Sequence, residues 1–262
     1  MQIGFVALMF VLGAAIGSFL CCQVRRLELM STKKKSLGPR SVCMNCKRKL
    51  TWYENIPIIS WLVLGGKCKK CKAKIGLGEL LSELGMATVF ACVATTINVS
   101  TNNVQEWSVF LVTILFVSTL GFLAIYDGLY GQLPNFALYI SIFLALALWL
   151  AKTWGGITCE LGLDMLFSIA ILGGIYLFLT LISKGKWVGD GDWILGTAIA
   201  IALGKPWLAL ITLFLSNLIA CVVMYPFVKS KSKKQIYFGP FLFIAYVITL
   251  TFSGFIESMV IL

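Results

Sequence analysis

Apolar stretches long enough to cross a lipid bilayer recur along almost the whole chain of 262 residues. A membrane-spanning helix needs about 20 predominantly apolar residues, whereas a spanning β-strand needs only about 10. Runs of this length predict an all-α polytopic membrane protein with about eight transmembrane helices. A soluble domain is excluded, because only 13% of the residues are charged against about 25% in soluble domains. The predicted spans are residues 3–24, 80–98, 107–126, 134–151, 164–183, 191–204, 207–228 and 237–258.

The distribution of Lys and Arg predicts how these spans are oriented. The first span has no positive charge before it and is followed directly by Arg25 and Arg26. We therefore expect a transmembrane helix with its N-terminus outside, not a cleaved signal peptide. Eight alternating spans then place 20 of the 22 Lys and Arg residues in cytoplasmic segments, in agreement with the positive-inside rule. Those segments are residues 25–79, 127–133, 184–190 and 229–236.

Most of the net charge of +11 lies in residues 25–79, which hold 14 Lys and Arg against three acids. A basic surface binds either nucleic acid or, beside a membrane, anionic lipid headgroups. The segment shows no RNA-binding motif and no platform of stacking aromatic residues. We therefore expect anionic membrane lipids as partners, with Lys33, Lys34 and Lys35 among the contacts, and no nucleic acid.

The same segment contains two Cys-x-x-Cys pairs, Cys43 with Cys46 and Cys68 with Cys71, separated by 21 residues. Four thiolates match the tetrahedral preference of zinc and leave no position for water, so the pattern predicts a structural zinc site. Disulfides are disfavoured in a cytoplasmic segment, and a thioredoxin-like redox pair requires a βαβ pattern that the sequence lacks. The predicted domains are a first transmembrane helix at 1–24, a cytoplasmic zinc-binding domain at 25–79 and a membrane helical bundle at 80–262.

Three acidic residues, Asp127, Asp190 and Asp192, fall at predicted cytoplasmic ends of spans. An ionisable group in a membrane span is a functional hypothesis by default, although each Asp also fits a simple helix cap. Two facing carboxyl groups do not both ionise easily, so one keeps a proton while the other acts as a base. Such a pair can deprotonate water for attack on a peptide carbonyl and protonate the leaving amine. Gly189 and Gly191 present no Cβ and would let a substrate backbone approach.

Other chemistries fit the sequence less well. The chain contains no histidine, which excludes Ser-His and Cys-His peptidase triads, and it has no Walker A loop for ATP. Intramembrane aspartates also serve proton relays and ion sites, but a transporter predicts internal repeats, and no convincing repeat is visible. A zinc-bearing membrane scaffold would tolerate neutral replacement of the acids. Transporter and scaffold remain the alternatives to a peptidase.

Several short blocks follow one another in order along nearly the whole chain. They are "GAAIGSFL" at 13–20, "CMNC", "NIPIISWLVLGGKCKKC", "ELLSELG", "YDGLYGQLPN" at 126–135, "GDGD" at 189–192 and "YFGPFLFIAY" at 237–246. This ordered set resembles the type IV prepilin peptidases, which are membrane aspartic proteases of the GxGD type. The resemblance implies that Asp127 and Asp192 are the catalytic aspartates and that Asp190 is the variable residue of GxGD.

The resemblance also implies an activity and a location. The family cuts leader peptides from prepilins and pseudopilins at the cytoplasmic face of the bacterial inner membrane. We therefore expect a multi-pass inner-membrane endopeptidase with its zinc domain and active site on the cytoplasmic side. Members with the cysteine-bearing domain often also methylate the new N-terminus, so S-adenosylmethionine is the expected cofactor where that second activity is retained.

Overall fold

The computed structural model describes residues 2–31, 41–43, 45–96, 103–154, 156, 158–185, 188–229 and 237–260. Within these ranges the chain is almost entirely helical, and its only β-type pairings are two isolated antiparallel bridges. The all-α class that the apolar runs predict is therefore confirmed. The chain divides into two compact units, Met1–Ala94 and Thr95–Leu262. The predicted functional division at residues 24 and 79 stays a prediction.

Each unit is built mainly from helices. The first unit contains α1 (Gln2–Ser31), a 3₁₀ turn (Trp52–Asn55), α2 (Ile59–Val63) and α3 (Leu77–Thr96). The second contains α4 (Val104–Tyr130), α5 (Asn135–Lys152), α6 (Cys159–Ile169), a π-helical turn (Ala170–Gly174), α7 (Ile175–Ser183), α8 (Asp192–Leu203), α9 (Pro206–Lys229), α10 (Gly239–Thr251) and α11 (Ser253–Val260).

Six helical segments of the described chain are long and apolar enough to cross a membrane. The consecutive helices α10 and α11 make a seventh if they count as one span, although they are bent by 64°. The predicted span at 191–204 corresponds to α8, which has 12 residues and extends only about 18 Å. A bilayer core is about 30 Å thick, so α8 does not cross it alone. The six segments are Ile3–Leu29, Leu77–Thr96, Val104–Tyr130, Asn135–Lys152, Cys159–Ser183 and Pro206–Tyr225.

Two glycines about one helical turn apart bring α1 and α3 into close contact. A Cβ atom at Gly13 would lie 2.5 Å from the carbonyl oxygen of Met86, and one at Gly17 would lie 2.4 Å from that of Ser82. These neighbours are backbone atoms that cannot rotate away, so a larger residue would force the helices apart. Helix packing through small residues therefore explains why the block "GAAIGSFL" carries glycine at both positions.

Helix α8 is buried within the second unit, where it packs against α5, α6, α9 and α10. Leu195, Ala198 and Ile199 are almost completely buried. The π-helical turn approaches α8 so closely that a Cβ atom at Gly173 would lie 2.3 Å from the hydroxyl oxygen of Thr197. Neighbours on several sides thus hold this short helix, and its first residue is Asp192.

Candidate functional site

Asp127 lies in the last turn of α4, and its side chain is only 6% exposed. The helix ends at Gly131, which adopts a left-handed conformation (φ 68°) and donates its N–H to the Asp127 carbonyl oxygen. This is a common way to close a helix, because glycine adopts positive φ without steric cost. The Asp127 carboxylate accepts the backbone N–H of Gly239, the first residue of α10, at 2.8 Å. The N-terminus of α10 therefore orients this carboxylate.

The start of α10 packs very tightly on the end of α4. A Cβ atom at Gly239 would lie 2.9 Å from Oδ2 of Asp127. At Gly131 a Cβ atom would lie 2.4 Å from the ring of Tyr237. The block "YFGP" at 237–240 thus contributes a backbone donor and an aromatic cover to the end of α4.

Asp192 is the first residue of α8 and is also 6% exposed. Its carboxylate accepts the N–H of Gly189 at 2.9 Å, while its own N–H donates to the Gly189 carbonyl oxygen at 3.1 Å. Gly191 packs against Leu133, since a Cβ atom there would lie 2.8 Å from that side chain. Leu133 belongs to the loop that follows α4, so this contact joins the GxGD segment to the segment carrying Asp127.

The structure brings Asp127 and Asp192 close enough for their carboxyl groups to interact electrostatically. Both are buried, and each carboxylate is held by a glycine N–H. Asp190, by contrast, is exposed. Burial therefore distinguishes the two aspartates predicted to be catalytic from Asp190, the other acid of the GxGD segment. Two buried carboxyl groups that interact in this way do not both ionise easily.

A polar cluster beside this site, with Tyr176 and Ser216 buried and Asn217 exposed, has no counterpart in the sequence analysis. The Tyr176 hydroxyl lies 3.0 Å from the Ser216 hydroxyl and accepts a hydrogen bond from the Asn217 amide at 3.1 Å. The Tyr176 ring packs on Phe238, with ring centroids 5.3 Å apart, and lies 3.2 Å from the position of a Cβ atom at Gly196. The one signal for it in the sequence is the adjacent Ser and Asn within the apolar helix α9.

The four predicted zinc ligands form a compact cluster in the first unit. The sulfur atoms of Cys43, Cys46, Cys68 and Cys71 all lie within 4.8 Å of one another, and those of Cys43 and Cys71 are 3.8 Å apart. A tetrahedral zinc with Zn–S bonds of about 2.3 Å places its sulfur ligands about 3.8 Å apart. The cluster therefore has the composition and the size of a four-thiolate metal site.

The two cysteine pairs have the same backbone turn. In the first, the Cys43 N–H donates to the Arg48 carbonyl oxygen and Lys47 adopts φ 57°. In the second, the Cys68 N–H donates to the Ala73 carbonyl oxygen and Lys72 adopts φ 56°. Backbone N–H groups of Cys71 and Lys70 lower the pKa of the Cys68 thiol to about 6. The backbone N–H groups of the first turn act on Cys43 in the same direction, but burial and its neighbouring thiols raise its pKa to about 11, so within the cluster Cys68 loses its proton before Cys43.

Two glutamates to which the sequence analysis gives no specific role are buried in the first unit. Glu83 accepts the N–H of Ile58 at 2.6 Å. Glu54 pairs with Arg48 and accepts the N–H and the hydroxyl of Thr51. The Arg48 guanidinium and the Thr51 N–H lower the pKa of Glu54 from 4.5 to about 2. These carboxylates fix the chain that leads into α2, at Thr51 and at Ile58.

Glu54→Gln should destabilise residues 41–76 by about 1–3 kcal/mol, because it removes charge-assisted hydrogen bonds from a buried group. The folded pKa lies below the ordinary value, so this stabilisation is present above about pH 4.5 and is lost as the pH falls towards 2. Hydrogen exchange of these residues between pH 7 and pH 3 measures it. The exposed neighbour Asn55 provides the control, Asn55→Gln. If the Glu54→Gln variant and the parent showed equal protection from hydrogen exchange at pH 7, the stabilising role assigned to Glu54 would be contradicted.

Comparisons with known proteins give the same family along nearly the whole chain. Residues 11–97 match the family model described as the bacterial peptidase A24 N-terminal domain. A prepilin leader peptidase/N-methyltransferase of Stutzerimonas stutzeri is 30% identical over 273 residues, covering 93% of this chain and 89% of the relative. The protein of that name from Pseudomonas aeruginosa is 29% identical over 277 residues, with coverage of 93% and 89%. That from Bacillus subtilis is 30% identical over 209 residues, with coverage of 78% and 76%.

No solved structure matches the chain. The apolar helices and the relatives together support a multi-pass protein of the bacterial inner membrane. The family model covers most of the first unit, including the cysteine cluster. The longer matches extend over the helices that carry both buried aspartates. These matches show that the protein belongs to the prepilin leader peptidase/N-methyltransferase family.

Proposed function

We propose that the protein is an aspartic endopeptidase that removes the leader peptides of type IV prepilins or pseudopilins, with Asp127 and Asp192 as its catalytic pair. The observation that supports this most directly is the geometry of the two carboxyl groups. They are buried, they interact electrostatically, and each accepts a backbone N–H from a glycine. The relatives are named as prepilin leader peptidases, which supports the choice of substrate.

In the proposed reaction, one carboxyl group is protonated and the other is ionised, because two close carboxylates repel each other. The ionised group removes a proton from water, which then attacks the scissile carbonyl carbon. The protonated group transfers its proton to the leaving amine, so the C–N bond breaks and the two acids exchange roles. The Gly239 and Gly189 N–H groups hold the carboxylates in place, which reduces the reorganisation needed during the reaction.

We place this chemistry at the cytoplasmic face of the inner membrane. Asp127 ends α4 and Asp192 begins α8, and the distribution of Lys and Arg favours a cytoplasmic position for both ends. The strongly basic segment 25–79 favours anionic membrane lipids over a basic leader peptide as its partner. The predicted lipid contacts Lys33, Lys34 and Lys35 lie outside the described residues.

We further propose that Cys43, Cys46, Cys68 and Cys71 hold one structural zinc ion. Four thiolates fill its coordination shell, so the ion would stabilise the fold of the segment and activate no water. The word N-methyltransferase in the names of the relatives supports a second activity on the new N-terminus, with S-adenosylmethionine as methyl donor.

Co-expression with a prepilin from the same organism tests the peptidase proposal. We expect the pilin to lose its leader, with cleavage at one position in the intact-mass spectrum. A mass increase of one methyl group on the new N-terminus would support the second activity. A prepilin that stays full length beside a well-expressed, membrane-inserted enzyme would argue for the transporter or scaffold alternatives.

Gly239→Ala should reduce kcat by about 10²-fold with little change in KM. The added Cβ atom would lie 2.9 Å from Oδ2 of Asp127, so the carboxylate must move, and a small displacement of a catalytic group costs about 10²-fold in rate. The matched control is Gly128→Ala, whose Cβ atom would make an ordinary contact, 3.6 Å from Pro240.

Both variants are compared in detergent with one prepilin substrate. The Gly128→Ala variant should keep most of the activity, since alanine also favours the helical conformation. Equal rates for the two variants would show that the contact of Gly239 with Asp127 has no part in catalysis.

A further inference from the structure

Helix α2 (Ile59–Val63) has two different faces. Ile59, Leu62 and Val63 are 58%, 62% and 79% exposed, and their spacing places them on one side of the helix. Ser60 and Trp61, on the other side, line a cavity of about 300 Å³ whose wall also includes Arg25 and Glu79. The interior of the first unit therefore lies behind α2, and three large aliphatic side chains point away from it.

The level at which α2 lies along α3 indicates whether its three exposed aliphatic side chains contact water or lipid. The N–H of Ile58, directly before α2, donates to the Glu83 carboxylate at 2.6 Å. Glu83 follows the first residue of α3, Leu77, by six positions, or about 9 Å along the helix axis. Helix α3 has 20 residues and is about 30 Å long, which matches the thickness of the hydrocarbon core. If α3 spans the core from end to end, the start of α2 is held about 9 Å inside the boundary, which is the depth at which interfacial helices lie.

The backbone at this junction is strained. Ile58 has φ 64°, a value that is a genuine outlier for a β-branched residue. Such a conformation persists only where the surrounding structure determines it, and here the buried Glu83 carboxylate accepts the Ile58 N–H. The depth of α2 is thus fixed by specific contacts of the fold.

The chain that follows α2 carries a cluster of cations. Lys67, Lys69, Lys70, Lys72 and Lys74 are all exposed. Lysines beside a membrane attract anionic headgroups. An apolar face followed by exposed lysines is typical of helices that lie in the plane of the bilayer surface, with the apolar face buried about 5–10 Å deep.

We infer that α2 is an interfacial membrane anchor: Ile59, Leu62 and Val63 insert between the lipids of the leaflet on the side of the cysteine cluster, and the lysines that follow contact its headgroups. The anchor holds the cysteine-bearing segment against the membrane. This role does not depend on the peptidase activity.

Photocrosslinking of the full-length protein tests the anchor. The photoreactive amino acid p-benzoylphenylalanine is placed at position 63 of the protein in vesicles of phosphatidylethanolamine and phosphatidylglycerol. Position 81 on α3, within a membrane span, serves as the lipid-contact control. Position 49, an exposed residue of the first cysteine turn that is not among the lysines after α2, serves as the water-exposed control. We expect lipid adducts at position 63 at a yield close to that at position 81 and several-fold above that at position 49.

A second measurement addresses the apolar character of the face. Leu62→Ser combined with Val63→Ser should increase tryptic cleavage after Lys67 and Lys69 several-fold in vesicles, while leaving the cleavage rate in detergent unchanged. A lipid yield at position 63 as low as that at position 49 would overturn the proposal. Crosslinking of position 63 to an added prepilin, in preference to lipid, would overturn it as well and would make α2 a substrate-docking face.

Discussion

Asp127→Asn and Asp192→Asn should each reduce prepilin cleavage by at least about 10³-fold, because each removes one member of an acid–base pair that contributes up to about 10⁴-fold. Both carboxyl groups are buried and each accepts one N–H from a glycine. Asparagine keeps an oxygen acceptor for that N–H, so the fold should survive while proton transfer stops. The double variant should be no slower than either single variant, since groups that act as a unit give non-additive losses.

Asp190→Asn is the matched control, because it removes a carboxylate from the same GxGD segment at an exposed position. It should keep most of the activity. Initial rates are measured by mass spectrometry on a purified prepilin, at equal levels of membrane-inserted enzyme. Substantial cleavage by the Asp192→Asn variant would refute the catalytic assignment. Equal losses in all three variants would show that the effect comes from the local charge of the segment.

Cys68→Ser should remove nearly all bound zinc and unfold residues 41–76 locally. Cys68 is the most deeply buried of the four ligands, and a thiolate site with three ligands no longer encloses the ion. Metal binding supplies much of the folding free energy of such small segments, about 10–16 kcal/mol in zinc-finger peptides. Metal analysis should give one zinc per chain for the parent, and hydrogen exchange should show loss of protection across both cysteine pairs.

Cys221→Ser provides the control, because Cys221 is exposed on α9 and lies apart from the cluster in the sequence. The Cys221→Ser variant should keep its bound zinc, and its backbone amides at 41–76 should stay protected from hydrogen exchange. Cleavage by the Cys68→Ser variant should fall less than in either aspartate variant, since the proposed zinc site has a structural role. The zinc assignment would be contradicted if the reduced parent protein contained no metal while its backbone amides at 41–76 stayed protected from hydrogen exchange.

The helical class and the cysteine cluster could be predicted because each depends on residues that act locally. Long apolar runs require helices in a bilayer, and a Cys-x-x-Cys pair supplies two ligands from one turn. The span predicted at 191–204 matches α8 (Asp192–Leu203) in position, but α8 is too short to cross the bilayer alone. Its apolar composition reflects burial inside the helical unit as well as contact with lipid. Composition alone does not distinguish these two environments for a run of this length.

The partners of the buried carboxylates could not be predicted, because they are backbone groups distant in sequence. Glu83 accepts an N–H from 25 residues earlier, and Asp127 accepts one from 112 residues later. Every residue except proline carries an N–H, so a sequence does not show which one is used. The structure places Asp127 in the last turn of α4 and Asp192 at the start of α8, whereas the cytoplasmic orientation of these helix ends and the catalytic roles stay predictions.

The hydrogen bond from Gly239 to Asp127 also has a consequence for biosynthesis. A ribosome releases Asp127 and Asp192 well before residue 239, so a nascent chain holds both carboxyl groups while the donor that orients Asp127 is still missing. Membrane insertion of α10 would complete the pair late in synthesis. The newly made protein would therefore acquire full activity only after nearly all of its helices are in place, and incomplete chains would leave pilin precursors uncut.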